Sequence, residues 1–285
     1  MELKKILPHD GPAINEVKKY INKYTNELIV IKCGGSVLLD KNLFNQFIDD
    51  ISIINKLGLN SIVIHGGGKK IKKKLEEQNI ESKFIDGLRI TDSKTIKIVE
   101  EALTEINSEI IEKLKFCNCK AQPITTKKNN TITVIPEKKE LGFVGSPKKI
   151  KKEIILQIVE KKEVPIIIPM GNDENQIPYN INADIAAGAV AESLNSRRLL
   201  LMTDVEGVLD KNKKIITEIN SDKANEMLID GTITGGMIPK IKTCLDAINN
   251  GVTGVVIVDG RKPHSILFEL FSDKGAGTLI RKWKN

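Results

Sequence analysis

Two short apolar runs, each closing on glycines, constrain this chain more than any other feature. Leu28-Ile29-Val30-Ile31 ends in Lys32-Cys33-Gly34-Gly35-Ser36, and Ser61-Ile62-Val63-Ile64 ends in His65-Gly66-Gly67-Gly68. A brief unbroken apolar run bounded by glycine reads as a strand buried on both faces. The stretch from about Asn42 to Leu57 lies between them and reads as a helix, and another helix opens after the second glycine turn. This is a βαβ pattern, which places both turns at the carboxyl ends of parallel strands, where ligands of open α/β sheets bind. Glycine there lets backbone N–H groups approach an anion. The spacing is neither a Walker A loop nor a GxGxxG fingerprint, so the ligand has to be read from other residues.

A length of 285 residues suits one large domain or two modest lobes, and an apolar fraction of 40% is enough for a real core. The net charge of +7 raises nucleic acid or an acidic membrane as partners. The lysines are scattered among glutamates, however, and tracts such as Lys69-Lys70-Ile71-Lys72-Lys73-Lys74 carry no interleaved aromatics, so neither partner is expected. Cys33, Cys117, Cys119 and Cys244 form no ligand framework and read as reduced thiols of a cytoplasmic protein. No run approaches membrane-spanning length, and no signal-peptide pattern is evident.

Along the chain, Ala13 to Tyr24 has helical spacing ahead of the first core strand. It reads either as a partner-docking arm or as a helix packed back on its own domain. Phe84 to Thr91 reads as a loop carrying one isolated arginine, Arg89, either a carboxylate reader or a surface residue. A long amphipathic helix follows, about Ser93 to Leu114. Thr131–Pro136 and Leu141–Gly145 bracket a charged turn and read as a hairpin, a lid or plain decoration. A helix (about Lys151 to Val159) and the strand Val164–Ile168 lead to Asn180-Ile181-Asn182-Ala183-Asp184, a turn entering a helix of small residues. A second lobe starts near Ser196. Its strand Leu199–Met202 ends in Thr203-Asp204-Val205-Glu206-Gly207-Val208-Leu209, a polar loop suited to a nucleotide or simply capped by its aspartate. Gly235-Gly236-Met237-Ile238-Pro239-Lys240 then opens a helix running to Asn250, with proline well tolerated in its first turn. Val255–Val258 is a further core strand, and His264–Phe271 is amphipathic.

Asp184 in its ionised form only accepts hydrogen bonds and needs cations nearby. By itself it could be an ordinary acid in a capped helix. Lys32 and Lys240, both beside glycine turns, are the cations it could hold. Phosphoryl transfer asks a protein for positioning and charge stabilisation more than covalent help. Two lysines flanking a moving phosphoryl group, tethered by Asp184, would meet that need, with Gly34, Gly35, Gly67, Gly68, Gly235 and Gly236 as backbone donors. A carboxylate acceptor suits such a site, since a carboxylic acid of pKa about 4 is already ionised and needs no general base. His65 is then structural or ligand-orienting. Arg89 and Asn180 would hold the other polar ends of an acidic substrate. Magnesium is expected with ATP, held chiefly by phosphate oxygens and water, with no dedicated metal ligands.

These residues together resemble the acetylglutamate kinases of the amino acid kinase superfamily, over nearly the whole chain. The likeness is carried by Ile31–Gly35, His65–Gly68, Gly87-Leu88-Arg89, Gly142–Gly145, Asn180–Asp184, Thr203–Val205 and Gly235–Lys240. It implies a three-layer αβα sandwich with a mainly parallel central sheet and two lobes. These would be an oligomerisation arm (residues 1–27), an acetylglutamate lobe (28–195) and an ATP lobe with an effector tail (196–285). It implies phosphorylation of the γ-carboxylate of N-acetyl-L-glutamate by MgATP. Lys32 and Lys240 would stabilise the transition state and Asp184 would organise them. Gly67, Gly68, Arg89 and Asn180 would bind acetylglutamate. Gly34, Gly35, Thr203, Asp204, Gly207, Val208, Leu209, Gly235, Gly236 and Met237 would line the ATP site. Cys33 stands where many members carry tyrosine and is expected to face the core. The two ends resemble the arginine-inhibited branch, hexameric as a trimer of dimers. In that branch Tyr20, His264, Glu269, Gly275 and Gly277 would contribute to an L-arginine site. Rival readings are kinases of aminoadipate, glutamate, aspartate, carbamate or UMP on the same fold, and a non-catalytic effector-binding protein.

Overall fold

The structure is a computed structural model and describes residues 3–282. Its elements, in chain order, begin with α1 (Ile14–Tyr24), β1 (Leu28–Cys33), α2 (Lys41–Lys56), β2 (Asn60–His65), α3 (Gly68–Glu77), β3 (Phe84–Ile85), β4 (Leu88–Arg89) and α4 (Thr95–Phe116). Then come β5 (Ala121–Ile124), β6 (Ile132–Pro136), β7 (Gly145–Ile150), α5 (Lys152–Glu160), β8 (Val164–Ile167), β9 (Met170–Asn172) and β10 (Pro178–Asn180). The chain finishes with α6 (Ala183–Ser193), β11 (Arg198–Thr203), β12 (Glu218–Asn220), α7 (Ser221–Ile229), α8 (Met237–Asn249), β13 (Val255–Asp259), α9 (Ser265–Phe271) and β14 (Gly277–Arg281).

One eight-stranded sheet, ordered β12-β14-β13-β11-β1-β2-β8-β5, runs through the whole molecule. Its neighbours are parallel except β13 against β14. Period-2 alternation sends successive residues to opposite faces. Val30, Ile64, Leu199, Leu201 and Ile257 pack under α5, α6, α7 and α8. Ile29, Ile31, Cys33, Leu200, Met202 and Val258 pack under α1, α2, α4 and α9. Both faces are therefore covered, as a parallel sheet requires, and the αβα sandwich is present. Cys33 is fully buried on the second face, where burial pushes its thiol up to about 12. α1 lies on α9 and buries Val17 and Tyr24, with the Tyr24 ring edge-on to Phe271 at 6.3 Å.

Three sequence expectations are corrected. Phe84 to Thr91 is a hairpin rather than a loop: Phe84 pairs with Arg89 and Ile85 with Leu88. Its turn, Asp86-Gly87, has both residues at positive φ, the geometry that Asp-Gly favours. The second strand of the later hairpin begins where it was expected to end. Leu141 closes a short 3-10 turn, and pairing starts at Gly145 opposite Pro136. The polar run Pro147-Lys148-Lys149 hides this strand, and proline is tolerated there because β7 is an edge of a separate sheet, β10-β9-β6-β7. Finally, β12, α7 and β14 go beyond the elements expected for the second half.

Candidate active site

Because β1, β2, β8, β11 and β13 run parallel, their carboxyl ends share one edge of the sheet, and the glycine turns stand there side by side. Lys32 is the penultimate residue of β1, held in register between Leu201 and Ile64. Its ammonium group folds back over Gly34, where an added Cβ would come within 2.8 Å of Nζ. Asp184 is the second residue of α6. Asn182 caps that helix by accepting from the N–H groups of Asp184 and Ile185, at 2.9 and 3.3 Å. The Asp184 carboxylate is thereby released from capping and turns to the lysines.

Lys32 Nζ stands 3.0 Å from Asp184 Oδ1, and Lys240 donates a short hydrogen bond to Asp184 Oδ2. Lys240 arrives from the first turn of α8. The small residues of α6 allow the approach: an added Cβ at Gly188 would lie 3.1 Å from Thr243 of α8. All three side chains are 12–17% exposed. Burial pushes the Asp184 carboxyl up, but the two ammonium groups more than offset this and hold it at about 2. Two positive charges on one carboxylate leave a net positive centre.

A cavity of about 230 Å³ extends from Lys32 and Asp184 between the glycine turns and the β3–β4 hairpin. Gly67, Gly68, Arg89 and Asn180 line it, with an apolar wall of Ile71, Leu103 and Val144. Arg89 is 8% exposed; it donates to the Gly68 carbonyl at 3.1 Å and to Ser82 Oγ, and lies 4.7 Å from the centre of the Phe84 ring. Burial pulls its pKa down, and no carboxylate among the described residues pairs with it. A buried cation without an anion is a receptor for one. Asn180, at the end of β10, has its amide 3.5 Å from Thr91 Oγ1, at the limit of hydrogen bonding. On the other side of Asp184, a groove of about 720 Å³ is lined by Lys240, Gly236 and Asp184 itself. The two lysines therefore face different spaces across a shared acid.

The residues expected around a nucleotide gather at the ends of β1, β11 and α8. Asp204, following β11, accepts from Ser36 N at 3.0 Å and Ser36 Oγ at 2.7 Å. Gly35 sits at φ +63°, with Asp204 Oδ1 2.5 Å from where a Cβ would be, so the two turns are clasped at a position only glycine fills. Burial pushes the Asp204 carboxyl up, and the Ser36 bonds bring it below its ordinary value. Thr203 ends β11. Gly207 and Val208 are held against Thr278 of β14, whose hydroxyl accepts from Val208 N at 2.9 Å, while Leu209 remains partly exposed. Gly235 and Gly236 face open space just before Met237 starts α8. No group of three or more His, Cys, Asp or Glu side chains that could hold a metal occurs among the described residues.

Sequence reasoning assigned no individual role to Asn182, Ser36 or Thr278. Asn182 carries the usual signal of an N-cap, an asparagine before a run of helix formers. Ser36 and Thr278 act on distant loops and carry no local signal.

Of the residues expected at an effector site, Tyr20, Glu269, Gly275 and Gly277 line one cavity of about 200 Å³ between α1, α9 and β14. Glu269 accepts from Ala276 N at 2.8 Å, and burial pushes its carboxyl up. The buried Arg198 and the exposed Lys23 share the cavity. His264 does not line it. Its Nδ1 lies 2.6 Å from Asp50 and its Nε2 3.3 Å from Asp10, tying the amino-terminal segment to α2.

The chain matches the amino acid kinase family over residues 27–259. It is 58% identical to the acetylglutamate kinase of Pelagibacter ubique (strain HTCC1062), covering 99% of this chain and 98% of that one. It is 41% identical to the acetylglutamate kinase of Nitrobacter winogradskyi, covering 98% of each. Among solved structures it superimposes on N-acetylglutamate synthase from Neisseria gonorrhoeae with a TM-score of 0.86 at 20% identity, a likeness of fold. There it covers 95% of this chain and spans 63% of the synthase. The chain therefore belongs to the amino acid kinase family.

Proposed function

We propose that this chain phosphorylates N-acetyl-L-glutamate with ATP, giving N-acetyl-L-glutamyl 5-phosphate and ADP, a step of arginine biosynthesis in the cytoplasm. The observation that carries the reading is the Lys32–Asp184–Lys240 group at the mouth of a cavity holding an unpaired buried arginine. The names of its relatives agree with it. In this reading Arg89, Asn180 and the N–H groups of Gly67 and Gly68 hold acetylglutamate, with the γ-carboxylate toward Lys32. An oxygen of that carboxylate attacks the γ-phosphorus, and the bond to the β,γ-bridging oxygen breaks. The electron pair leaves with ADP, and no proton has to move. Lys32 and Lys240 stabilise charge on the transferring group from two sides, and Asp184 fixes both. The clasped turns at Gly34, Gly35 and Asp204, the loop Thr203–Leu209 and the start of α8 at Gly235–Met237 hold the nucleotide. Asp184 is engaged by two lysines and Asp204 by Ser36, so magnesium would enter on the phosphates, where it neutralises their charge.

The reading is tested by trapping the acyl phosphate with hydroxylamine. Hydroxamate is expected from ATP with N-acetylglutamate, and at least about a hundredfold less from glutamate or aspartate at equal concentration, because each lacks the acyl group a hydrogen-bonding site is built to meet. Equal rates with glutamate would replace the acceptor; no hydroxamate from any of them would remove the kinase.

The cavity at Glu269 favours a further element, inhibition by L-arginine in a hexamer. Glu269 and Asp273 offer anions to a guanidinium, while Arg198 and Lys23 offer cations to a carboxylate. Arginine at millimolar concentration is expected to inhibit the wild-type enzyme, and Glu269→Gln to abolish inhibition with little change in the uninhibited rate. An uninhibited wild type sinks this element, and elution as a dimer sinks the hexamer.

A further inference from the structure

His65 is a buried titratable side chain to which phosphoryl transfer gives no task. It ends β2, is fully buried, and immediately precedes Gly66-Gly67-Gly68. Its hydrogen bonds form a chain in which every direction is forced. The Ile166 carbonyl of β8 can only accept, so the Asn107 atom facing it at 2.8 Å is the amide nitrogen Nδ2. The same NH₂ group faces His65 Nε2 at 3.3 Å, which makes Nε2 the bare, accepting nitrogen. The proton therefore resides on Nδ1, which donates to the Gly66 carbonyl at 3.0 Å. A proton on Nε2 would set two donors against each other. Burial acts in the same direction, pulling the imidazole down to about 4. At neutral pH the ring is a neutral donor of fixed tautomer.

What this donor grips is the peptide between Gly66 and Gly67. Gly66 N–H is already bound to the Cys33 carbonyl at 2.7 Å, which anchors the turn on β1. The Gly66–Gly67 peptide is trans, so its N–H points away from its carbonyl. With the carbonyl drawn toward the buried imidazole, the N–H of Gly67 leaves on the opposite side of the peptide, and Gly66, Gly67 and Gly68 all line the cavity. Glycines on both sides of a peptide leave it free to rotate unless something holds it. Gly67 cannot supply that restraint with a side chain, since an added Cβ would fall 2.7 Å from Leu103 of α4.

We propose that His65 is a positioning residue: by donating from Nδ1 to the Gly66 carbonyl, it locks the Gly66–Gly67 peptide with its N–H aimed into the cavity, as a preset donor to an anionic end of the substrate. The proposal rests on reading that cavity as the acetylglutamate site.

The test compares side chains that keep or lose the donor at the place of Nδ1. An asparagine amide nitrogen lies at the same branch from the backbone as Nδ1; a glutamine amide lies one bond farther out, and phenylalanine has none. His65→Phe and His65→Gln are expected to raise KM for acetylglutamate about tenfold, as for a misplaced hydrogen bond to a charged group. KM for ATP and kcat should stay within about twofold, and His65→Asn should return to within about threefold of wild type. Equal effects of Asn and Gln, or parallel losses in both KM values and kcat, would reduce His65 to packing. Should the wild type ignore acetylglutamate, the functional reading fails by itself, and the amide of Gly67 still decides the positioning. In ¹⁵N-glycine- and ¹⁵N-histidine-labelled protein, His65 is expected as the Nδ1–H tautomer from pH 5 to 8. Both variants lose the ring current of the imidazole, and beyond that shared change the Gly67 resonance should move farther in His65→Gln than in His65→Asn. Equal Gly67 shifts in the two variants overturn the proposal.

Discussion

Lys240→Met is expected to lower kcat by about a thousandfold while leaving the affinity for acetylglutamate within about twofold. The size follows from what a fixed donor contributes where charge develops: removing one such group from a water-poor site costs two to three orders of magnitude. The selectivity follows from the geometry. Lys240 lines the groove on the α8 side of Asp184, and the cavity proposed for acetylglutamate is lined by Lys32. In the proposed reading, substrate is held through Arg89, Asn180 and the β2 glycine turn, and Lys240 takes no part in binding it. The fold should tolerate the change, because Asp184 keeps Lys32 at 3.0 Å and remains a paired carboxylate. Initial rates under saturating ATP and acetylglutamate, with calorimetric binding of acetylglutamate, measure both quantities. Turnover within tenfold of wild type would remove Lys240 from the reaction; a matching loss of acetylglutamate affinity would move its role to binding.

Much of this arrangement is visible in the sequence because it depends on strand ends. An apolar run that stops at a glycine announces a strand, its carboxyl end and a ligand edge together, so β1 and β2 carry Lys32 and His65 to their places by local pattern alone. The same holds for α6 and α8, whose first turns are marked by Asn182 and by Gly235-Gly236 with Pro239. Contacts between distant loops are not written locally. Nothing near Ser36 indicates that Asp204 will bond it across 168 positions, and nothing near Gly207 names Thr278 as its neighbour. The residues expected at an effector site show the same limit. Tyr20, Glu269, Gly275 and Gly277 meet because α1 lies on α9. His264, at the start of the same short helix, is instead engaged by Asp50 and Asp10. The hairpin at Phe84 to Arg89 was legible in its Asp-Gly turn, but strands of two residues give too little alternation to register as a period.

Asp184→Asn separates positioning from stability at the same centre. In the wild type the three side chains carry one net positive charge; in the variant they carry two, and the ammonium groups lose the acid between them. Removing one member of a buried ion-paired group costs about 3 kcal/mol, chiefly because the remaining charges stay buried without a partner. Turnover is expected to fall about a hundredfold as well, since neither ammonium group is then held against the transferring phosphoryl. The stability difference has a defined pH dependence. The Asp184 carboxyl lies at about 2 in the folded chain against an ordinary 3.8. Its stabilisation is fully present above the ordinary value and is lost as pH falls through the folded value. Wild type minus Asp184→Asn should therefore be constant from about pH 5 upward and shrink between about pH 4 and pH 2. Adding Lys32→Met to Asp184→Asn returns the centre to a single positive charge. It should recover part of the lost stability and none of the turnover, because the second variant relieves repulsion without rebuilding the lysine pair proposed to face the phosphoryl group. Urea unfolding across that pH range, with rates measured on the same preparations, reads both. A double variant that regained turnover along with stability would mean that Asp184 serves only to neutralise charge, and that the lysines need no tether.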